Sequence, residues 1–370
     1  MESNFKNLQQ LLDFFKDETI CKEYYEQKRW GGNPACPHCG NAGKIYRTDR
    51  GFKCGEKTCN KKFSVISGTI FENTKIGLRV WFAAMYLIST SKKGISSLQL
   101  AEQLGITQKT AWFVNHRIRE MLKDAVSTKL TETVEVDETF VGGKNKNRHK
   151  DKKIENSQGR SFIDKTPVVG LLERAKYEIV ERPHKVIKGK IVKEKVIIKS
   201  SKVICQVVSD TQQKSVEPVI ENNVENGINI YSDEWSAYNN LSENYKHSIV
   251  NHSAKEYVNG IAHTNGIEGF WSILKRGYIG IYHYMSKEHL HRYCVEFAFR
   301  YNNKEFTGIE KFETALLNTD SKRLTYSNLI GQLTQQELDA VAVKYEKNPL
   351  AHPDDPCLSD DDIANAPISE

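Results

Sequence analysis

The segment at residues 133–143, TVEVDETFVGG, decides the fold class, because its alternation of apolar and polar side chains predicts a β-strand with one buried face. Three further runs have the same strand character: TPVVGLLER at 166–174, KVICQVVSD at 202–210 and INIYSD at 228–233. A helical pattern then covers residues 264–303. Strands that combine with helices in this way predict an α/β domain.

Acidic side chains accompany these elements. Asp137 lies on the first strand, Asp233 ends the fourth, and Glu268 falls within the helical stretch HTNGIEGFWSILKRG. Phosphoryl transfer from DNA without a covalent intermediate needs two divalent cations about 3.5–4 Å apart, and three carboxylates can hold such a pair. Hard oxygen ligands favour Mg²⁺ or Mn²⁺. We therefore expect two Mg²⁺ or Mn²⁺ ions at these acids, although any one of them alone could be a solvated or capping carboxylate.

Four of the eight cysteines are crowded into one short segment. They form the pairs Cys36-Pro37-His38-Cys39 and Cys54-x4-Cys59, which suit two knuckles that present four thiolates to one structural Zn²⁺. The N-terminal residues lack the features of a secretory signal, so metal ligation is favoured over two disulfides. His38 is a second-choice ligand, because it lies between two cysteines.

Residues 96–122, SSLQLAEQLGITQKTAWFVNHRIREML, predict a helix-turn-helix. Leu98, Ala101 and Leu104 are expected to face inward, and Gly105 is expected to form the turn. The polar side chains expected to approach a DNA groove or phosphates are Gln108, Lys109, Asn115, Arg117 and Arg119. Similar helices also form plain structural cores, but the position directly after a cysteine cluster favours DNA binding.

The composition agrees with a DNA partner. A net charge of +6 and a pI near 8.7 favour a polyanion without establishing one. Basic segments near 142–165 and 181–200 are either solvated loops or phosphate contacts, and the second has the pattern of a projecting hairpin. No run reaches the ~18 apolar residues of a membrane span, so we expect a cytoplasmic protein with no membrane partner.

A chain of 370 residues is expected to contain several domains. The predicted organisation is a helical lead-in at 1–32, a zinc ribbon at 33–66, a helix-turn-helix domain at 67–125, an α/β catalytic domain at 130–315, and at 316–370 a C-terminal helix followed by an acidic tail of disordered composition.

Four motifs, in this order after a zinc ribbon and a helix-turn-helix, resemble those of ISXO-type insertion-sequence transposases, the family numbered fifteen-ninety-five. They are VDETFVGGK, YSDEWSAY, VNHSAKEYVNGIAHTNGIEGFWSILKRG and YHYMSKEHLHRYCVEFAFRYN, and the resemblance spans about residues 10–310. It implies an RNase H-like fold, a metal-binding DDE triad, binding to terminal inverted repeats and target DNA, and a bacterial mobile element. It also implies a nucleoid-associated location, and pairing of two element ends favours a homodimer or larger assembly.

Carried over by motif, Asp137 would bridge both metals, Asp233 would bind one and Glu268 the other. Lys275 and Arg276 would contact DNA near the cleavage site. Some relatives have asparagine as the third active-site residue. Asn265 precedes Glu268 by three residues on the same helical face, and a neutral amide is a weaker Mg²⁺ ligand than a carboxylate. We therefore expect Glu268 to bind metal and Asn265 to support it.

Several roles and functions stay open at this point. His252 and His263 are candidates to orient water or phosphate, or are structural, and Glu138 and Glu234 rank below the triad. One alternative function is a DNA-binding regulator derived from such an element, which would need the loss of a triad acid. Another is a metal-dependent nuclease in which only water attacks.

Overall fold

A computed structural model describes residues 5–123, 128–143, 149–153, 165–183, 191–250 and 263–331. The chain forms two compact units. The first comprises Met1–Ser91, Ile95–Asp124 and Glu305–Glu370, and the second comprises Lys92–Gly94 and Ala125–Lys304. The predicted acidic tail, His252, and the basic residues Lys144, Lys146, Arg148, Lys185, Lys188 and Lys190 lie outside the described residues.

Helices dominate the described part of the first unit. They are α1 (Leu8–Phe14), α2 (Glu18–Trp30), α3 (Leu78–Thr90), α4 (Ser97–Leu104), α5 (Gln108–Met121), α9 (Gly308–Leu317) and α10 (Tyr326–Leu329). The core is rich in aromatic rings: Phe312 lies in ring contact with Phe5, Phe15 and Phe82. The prediction that residues up to 315 belong to the catalytic domain is therefore wrong, since α9 packs in the first unit.

A small antiparallel sheet lies between α2 and α3 in sequence. Its strands are β1 (Ile45–Thr48), β2 (Gly51–Cys54) and β3 (Lys62–Phe63), in the order β1-β2-β3. Trp30 at the end of α2 packs edge-on against Phe52 and Phe63, whose rings are stacked. These few rings form a core of small area, which suits a module that needs a further constraint to fold.

The helix-turn-helix is present. Ser96 caps α4 by accepting from Gln99 N, Gly105 ends α4 with a φ of 65°, and Thr107 caps α5 by accepting from Thr110 N. The positive φ at Gly105 favours glycine at the turn. Leu98 was expected to face inward, but it is 65% exposed and Leu100 takes the buried position.

Three of the five polar residues assigned to DNA on α5 are buried. Asn115, Arg117 and Arg119 are each at most 4% exposed. The Arg117 guanidinium donates to the carbonyls of Ile70 and Glu72, at 2.9 Å for the latter. Arg117 thus holds α5 in the first unit, and the burial of all three side chains contradicts the expectation that they approach DNA. Gln108 is exposed and Lys109 half-buried, at the start of the helix.

A mixed five-stranded sheet forms the centre of the second unit. Its strands are β4 (Val134–Val141), β5 (Thr166–Glu173), β8 (Lys202–Val207), β9 (Asn229–Ser232) and β10 (Lys246–Ile249), in the order β10-β9-β4-β5-β8. β5 runs antiparallel to β4 and to β8, whereas β9 runs parallel to β4 and to β10. The four strands predicted from sequence are confirmed, and β10 and α6 are additional.

Helices cover both faces of this sheet. On one face α6 (Gln213–Asn223) packs on Val134, Val136 and Leu171. On the other, α7 (Asn265–Gly277) and α8 (Leu290–Asn302) pack on Val141, Val168 and Leu172. Every residue of β5 is buried because both faces of this strand are covered.

The predicted projecting hairpin is confirmed as β6 (Lys176–Pro183) paired with β7 (Ile191–Lys199), a separate two-stranded sheet with mostly exposed side chains. Within the described residues, every helix is too short or too polar to span a lipid bilayer.

Candidate functional site

The two aspartates reach the same level of the sheet through strand register. β4 and β9 are adjacent and parallel, with Glu135 opposite Tyr231. Asp137 lies two residues beyond Glu135, and Asp233 lies two residues beyond Tyr231. Neighbouring strands are about 4.8 Å apart, and side chains two residues apart share a face. The sheet therefore brings both carboxylates to one face, Asp137 from the middle of β4 and Asp233 from just beyond the end of β9.

A tryptophan from α7 contacts Asp137 directly. Trp271 Nε1 donates to Asp137 Oδ2 at 3.1 Å. The residue paired with Asp137 on β5 is Gly170, and a Cβ there would lie 2.4 Å from the Trp271 ring. Glycine is required at 170 because any side chain would displace this indole. The hydrogen bond fixes one carboxylate oxygen of Asp137 against the helix.

Burial and neighbouring acids change the ionisation of Asp137. Its pKa rises from 3.8 to about 7, first because of desolvation and then because of the negative charges of Asp233 and Glu268. The hydrogen bond from Trp271 opposes this rise. Like charges raise a carboxyl pKa when they lie close together. Asp233 and Glu268 thus both lie near enough to Asp137 to act on its carboxyl group.

Asp233 is held by the turn that follows β9. The side chain is buried, and its Oδ1 accepts from Trp235 N at 3.1 Å. The Trp235 indole in turn donates to Thr211 O at 3.0 Å. The predicted helix start after Asp233 is a single 3-10 turn, Ser236–Tyr238. This local hydrogen bonding fixes the aspartate without a long helix.

The first two turns of α7 carry the third acid. Glu268 is exposed, and its Oε1 accepts from Thr264 Oγ1 at 3.1 Å. Asn265 is exposed on the same face, and Lys275 and Arg276 are exposed further along the helix. The opposite face is buried, with Ile267, Phe270, Trp271 and Leu274 in the core. The predicted shared face of Asn265, Glu268 and Lys275 is present.

The lower-ranked acids lie elsewhere. Glu138 is on the other face of β4 and accepts from Tyr238 OH at 2.6 Å. Glu234 is exposed next to Asp233. Sequence reasoning missed Glu135, which is buried beneath the start of α7 and bonded to Arg174 Nε at 2.6 Å. The sequence could have identified Glu135, because strand alternation places it on the same face as Asp137.

The acid group fits divalent cations in its chemistry. Besides burial, the negative charges of Asp233 and Glu268 raise the pKa of Asp137, and a cation would relieve this repulsion. Carboxylate oxygens are the ligands that Mg²⁺ and Mn²⁺ prefer.

The four cysteines of the first unit form a compact cluster. Their Sγ atoms all lie within 4.8 Å of one another. Cys36 and Cys59 are 3.8 Å apart, and Cys39 and Cys54 are 3.6 Å apart. A tetrahedral Zn²⁺ with ~2.3 Å bonds places its sulfur ligands about 3.8 Å from each other. The predicted ligand set therefore has the geometry of a structural zinc site.

Comparison with protein families gives two matches. Residues 129–302 match the ISXO2-like transposase domain, and residues 16–62 match the transposase zinc-ribbon domain. The first match contains all three acids and the second contains all four cysteines.

Two curated proteins are similar to this chain. An uncharacterized protein in transposable element ISH50 of Halobacterium salinarum is 28% identical over 316 residues, which is 82% of this chain and 97% of that protein. An uncharacterized transposase-like protein of Haemophilus influenzae is 30% identical over 105 residues, which is 28% of this chain and 84% of that protein.

Proposed function

This chain belongs to the ISXO2-like transposase family, and we propose that it binds the terminal inverted repeats of an insertion sequence and catalyses metal-dependent cleavage and strand transfer at those ends. The observation that carries the proposal is that Asp233 and Glu268 lie near enough to Asp137, on the face of the sheet covered by α7, to raise its pKa. The strand order and directions support an RNase H-like fold for this unit.

In this proposal Asp137, Asp233 and Glu268 would hold two Mg²⁺ or Mn²⁺ ions. Asp137 would contribute to both ions, and Asp233 and Glu268 to one each. When bound, such ions activate an attacking oxygen and stabilise the leaving oxygen. Trp271 holds one oxygen of Asp137 in place through its indole N–H. Asn265, exposed one turn before Glu268, supports the third ligand.

DNA contact is proposed at exposed cations near the acids and at the start of the recognition helix. Lys275 and Arg276 extend from the same exposed face of α7 as Glu268. Gln108 and Lys109 begin α5, where the first residues of a recognition helix meet base edges. The four cysteines would hold one structural Zn²⁺ in the preceding ribbon. Pairing of two ends favours a homodimer or larger assembly.

A plasmid strand-transfer assay tests this function. The purified chain is incubated in Mg²⁺ with a linear fragment that carries the element's own ends and with a supercoiled target plasmid. The proposal predicts fragment joined covalently to plasmid. Cut fragment without joining would support a nuclease that uses only water. Bound but uncut fragment would support a DNA-binding regulator.

A further inference from the structure

The start of α7 rests on a buried carboxylate from β4. Glu135 is 1% exposed, and its Oε2 accepts from Ile267 N at 3.0 Å. Ile267 is the third residue of α7, one of the positions whose N–H has no partner within the helix. The residue before the helix, Thr264, makes no capping hydrogen bond with its side chain. Glu135 therefore caps α7 from the neighbouring strand.

The other oxygen of Glu135 joins a second element. Glu135 Oε1 accepts from Arg174 Nε at 2.6 Å and lies 3.3 Å from His263 Nδ1. The Arg174 guanidinium also donates to His263 O at 2.7 Å, and it lies 4.6 Å from the centre of the Tyr231 ring on β9. The Glu135 carboxylate thus connects β4 both to Arg174, the residue after β5, and to His263, which precedes α7.

Close packing confirms that this contact is tight. A Cβ on Gly266 would lie 2.8 Å from Glu135 Oε2 and 3.1 Å from Leu172 Cδ2. Glycine at 266 allows the helix backbone to approach the carboxylate, since a larger residue would displace one of them. Glu268 follows two residues later on the exposed face. Movement at Gly266 would therefore move the third acid relative to Asp137 and Asp233.

We infer that Glu135 is a positioning residue for the metal site: it holds the first turn of α7, with Arg174 and His263, so that Glu268 and Asn265 face the two aspartates. This inference rests on the proposed function, because it concerns the same acids. Residues behind metal ligands orient them, and their loss typically lowers metal affinity 10–100-fold. Glu135 is two residues before Asp137 on one face, so a single strand fixes both sides of the site.

The chain offers a matched control. Glu173 is also a strand glutamate that is 1% exposed, and it accepts from two backbone N–H groups, of Thr131 at 2.8 Å and Glu132 at 3.0 Å. Its cationic partner is Lys199, at 2.8 Å. Glu173→Gln thus removes a buried charge of the same kind without touching α7.

The experiment compares Glu135→Gln and Glu173→Gln in the full zinc-loaded chain. Calorimetric titration with Mn²⁺ measures metal affinity. Amide hydrogen exchange in the absence of Mn²⁺ measures how well the backbone N–H groups in the first turn of α7 are protected. We expect Glu135→Gln to weaken Mn²⁺ binding by about tenfold or more and to speed exchange at residues 265–268 by about tenfold. Glu173→Gln should match wild type in both, even where the two variants lose similar thermal stability.

Equal effects of the two substitutions, or wild-type behaviour of Glu135→Gln, would overturn the inference. If Glu135→Gln does not fold, Arg174→Lys replaces it, since lysine keeps the charge but cannot reach both Glu135 and His263 O. The same two shifts are expected for Arg174→Lys. A wild-type chain that fails to cut DNA would refute the proposed function, whereas the amide-exchange comparison would still decide whether Glu135 holds α7.

Discussion

The cysteine cluster and the acid site each bring together side chains that can bind cations, but they are assembled differently. The cysteines lie between residues 36 and 59, and their sulfur atoms already have the 3.6 Å and 3.8 Å spacing of a tetrahedral site. The acids come from β4, the end of β9 and α7. They are close enough that Asp233 and Glu268 raise the pKa of Asp137.

The difference agrees with the proposed role of each site. A structural zinc site must be closed, because its binding free energy is the folding free energy of a small module. A catalytic site must leave room for substrate oxygens between its ions. The acid site is accordingly held by the larger fold, through strand register and through contacts such as Trp271 with Asp137. Removal of a ligand should therefore unfold the zinc ribbon, whereas at the acid site it should abolish catalysis without unfolding the protein.

The largest effect is expected at the cysteine cluster. Cys54→Ser removes a buried thiolate, and loss of zinc should cost the ribbon on the order of 10 kcal/mol of folding free energy. Mass spectrometry of the native protein should show one zinc per wild-type chain and none in the variant. Cys21→Ser is the control, because Cys21 is equally buried in α2 but outside the cluster. Zinc retained in Cys54→Ser would refute the assignment.

The second-largest effect is expected at the third acid, Glu268. Glu268→Gln removes a charged ligand and should raise the activation barrier for cleavage by about 4 kcal/mol or more. The single-turnover cleavage rate would then fall on the order of a thousandfold or more. Asn265→Ala, on the same face of α7, should reduce the rate less because an amide contributes no charge. Rates measured at saturating DNA decide between them. An active Glu268→Gln beside an inactive Asn265→Ala would make Asn265 the third ligand.

The smallest effect concerns stability in Mg²⁺-free buffer. A carboxyl whose pKa rises from 3.8 to about 7 on folding costs stability as pH rises through that window, with the full cost above pH 7. Asp137→Asn removes the charge and keeps an acceptor for Trp271. It should stabilise the protein at pH 8 by on the order of 1–2 kcal/mol, because Asp137 is half-buried and solvent screens part of the shift.

The gain from Asp137→Asn should disappear near pH 4, as denaturant unfolding at both pH values would show. Asp210→Asn is a control for which the opposite change is expected, a loss of stability at pH 8. The backbone N–H of Gln212 lowers the pKa of this exposed carboxyl, so the wild type gains stability from it above the ordinary pKa. An Asp137→Asn variant that is less stable than wild type at pH 8 would contradict the electrostatic description of the acid group.

Sequence patterns predicted the parts of the molecule that depend on local periodicity. Alternation located β4 and the face that carries Asp137, and cysteine spacing located the cluster. Sequence patterns gave wrong predictions where tertiary packing decides whether a side chain is buried or which unit a helix joins. Arg117 is polar but lies in the core against the carbonyls of Ile70 and Glu72, a partnership that no local pattern shows. The placement of α9 in the first unit likewise depends on its aromatic contacts.

Cleavage of an element end in Mg²⁺ is the most direct test that the acid group holds the catalytic ions. The measurement compares wild type with Asp137→Asn and Asp233→Asn, and a gel-shift assay on the same DNA records end binding. We expect wild type to cut, and both variants to bind the end with near wild-type affinity but not cut it, since zinc and recognition helix are unchanged. Cleavage by either variant at the wild-type rate would contradict the assignment.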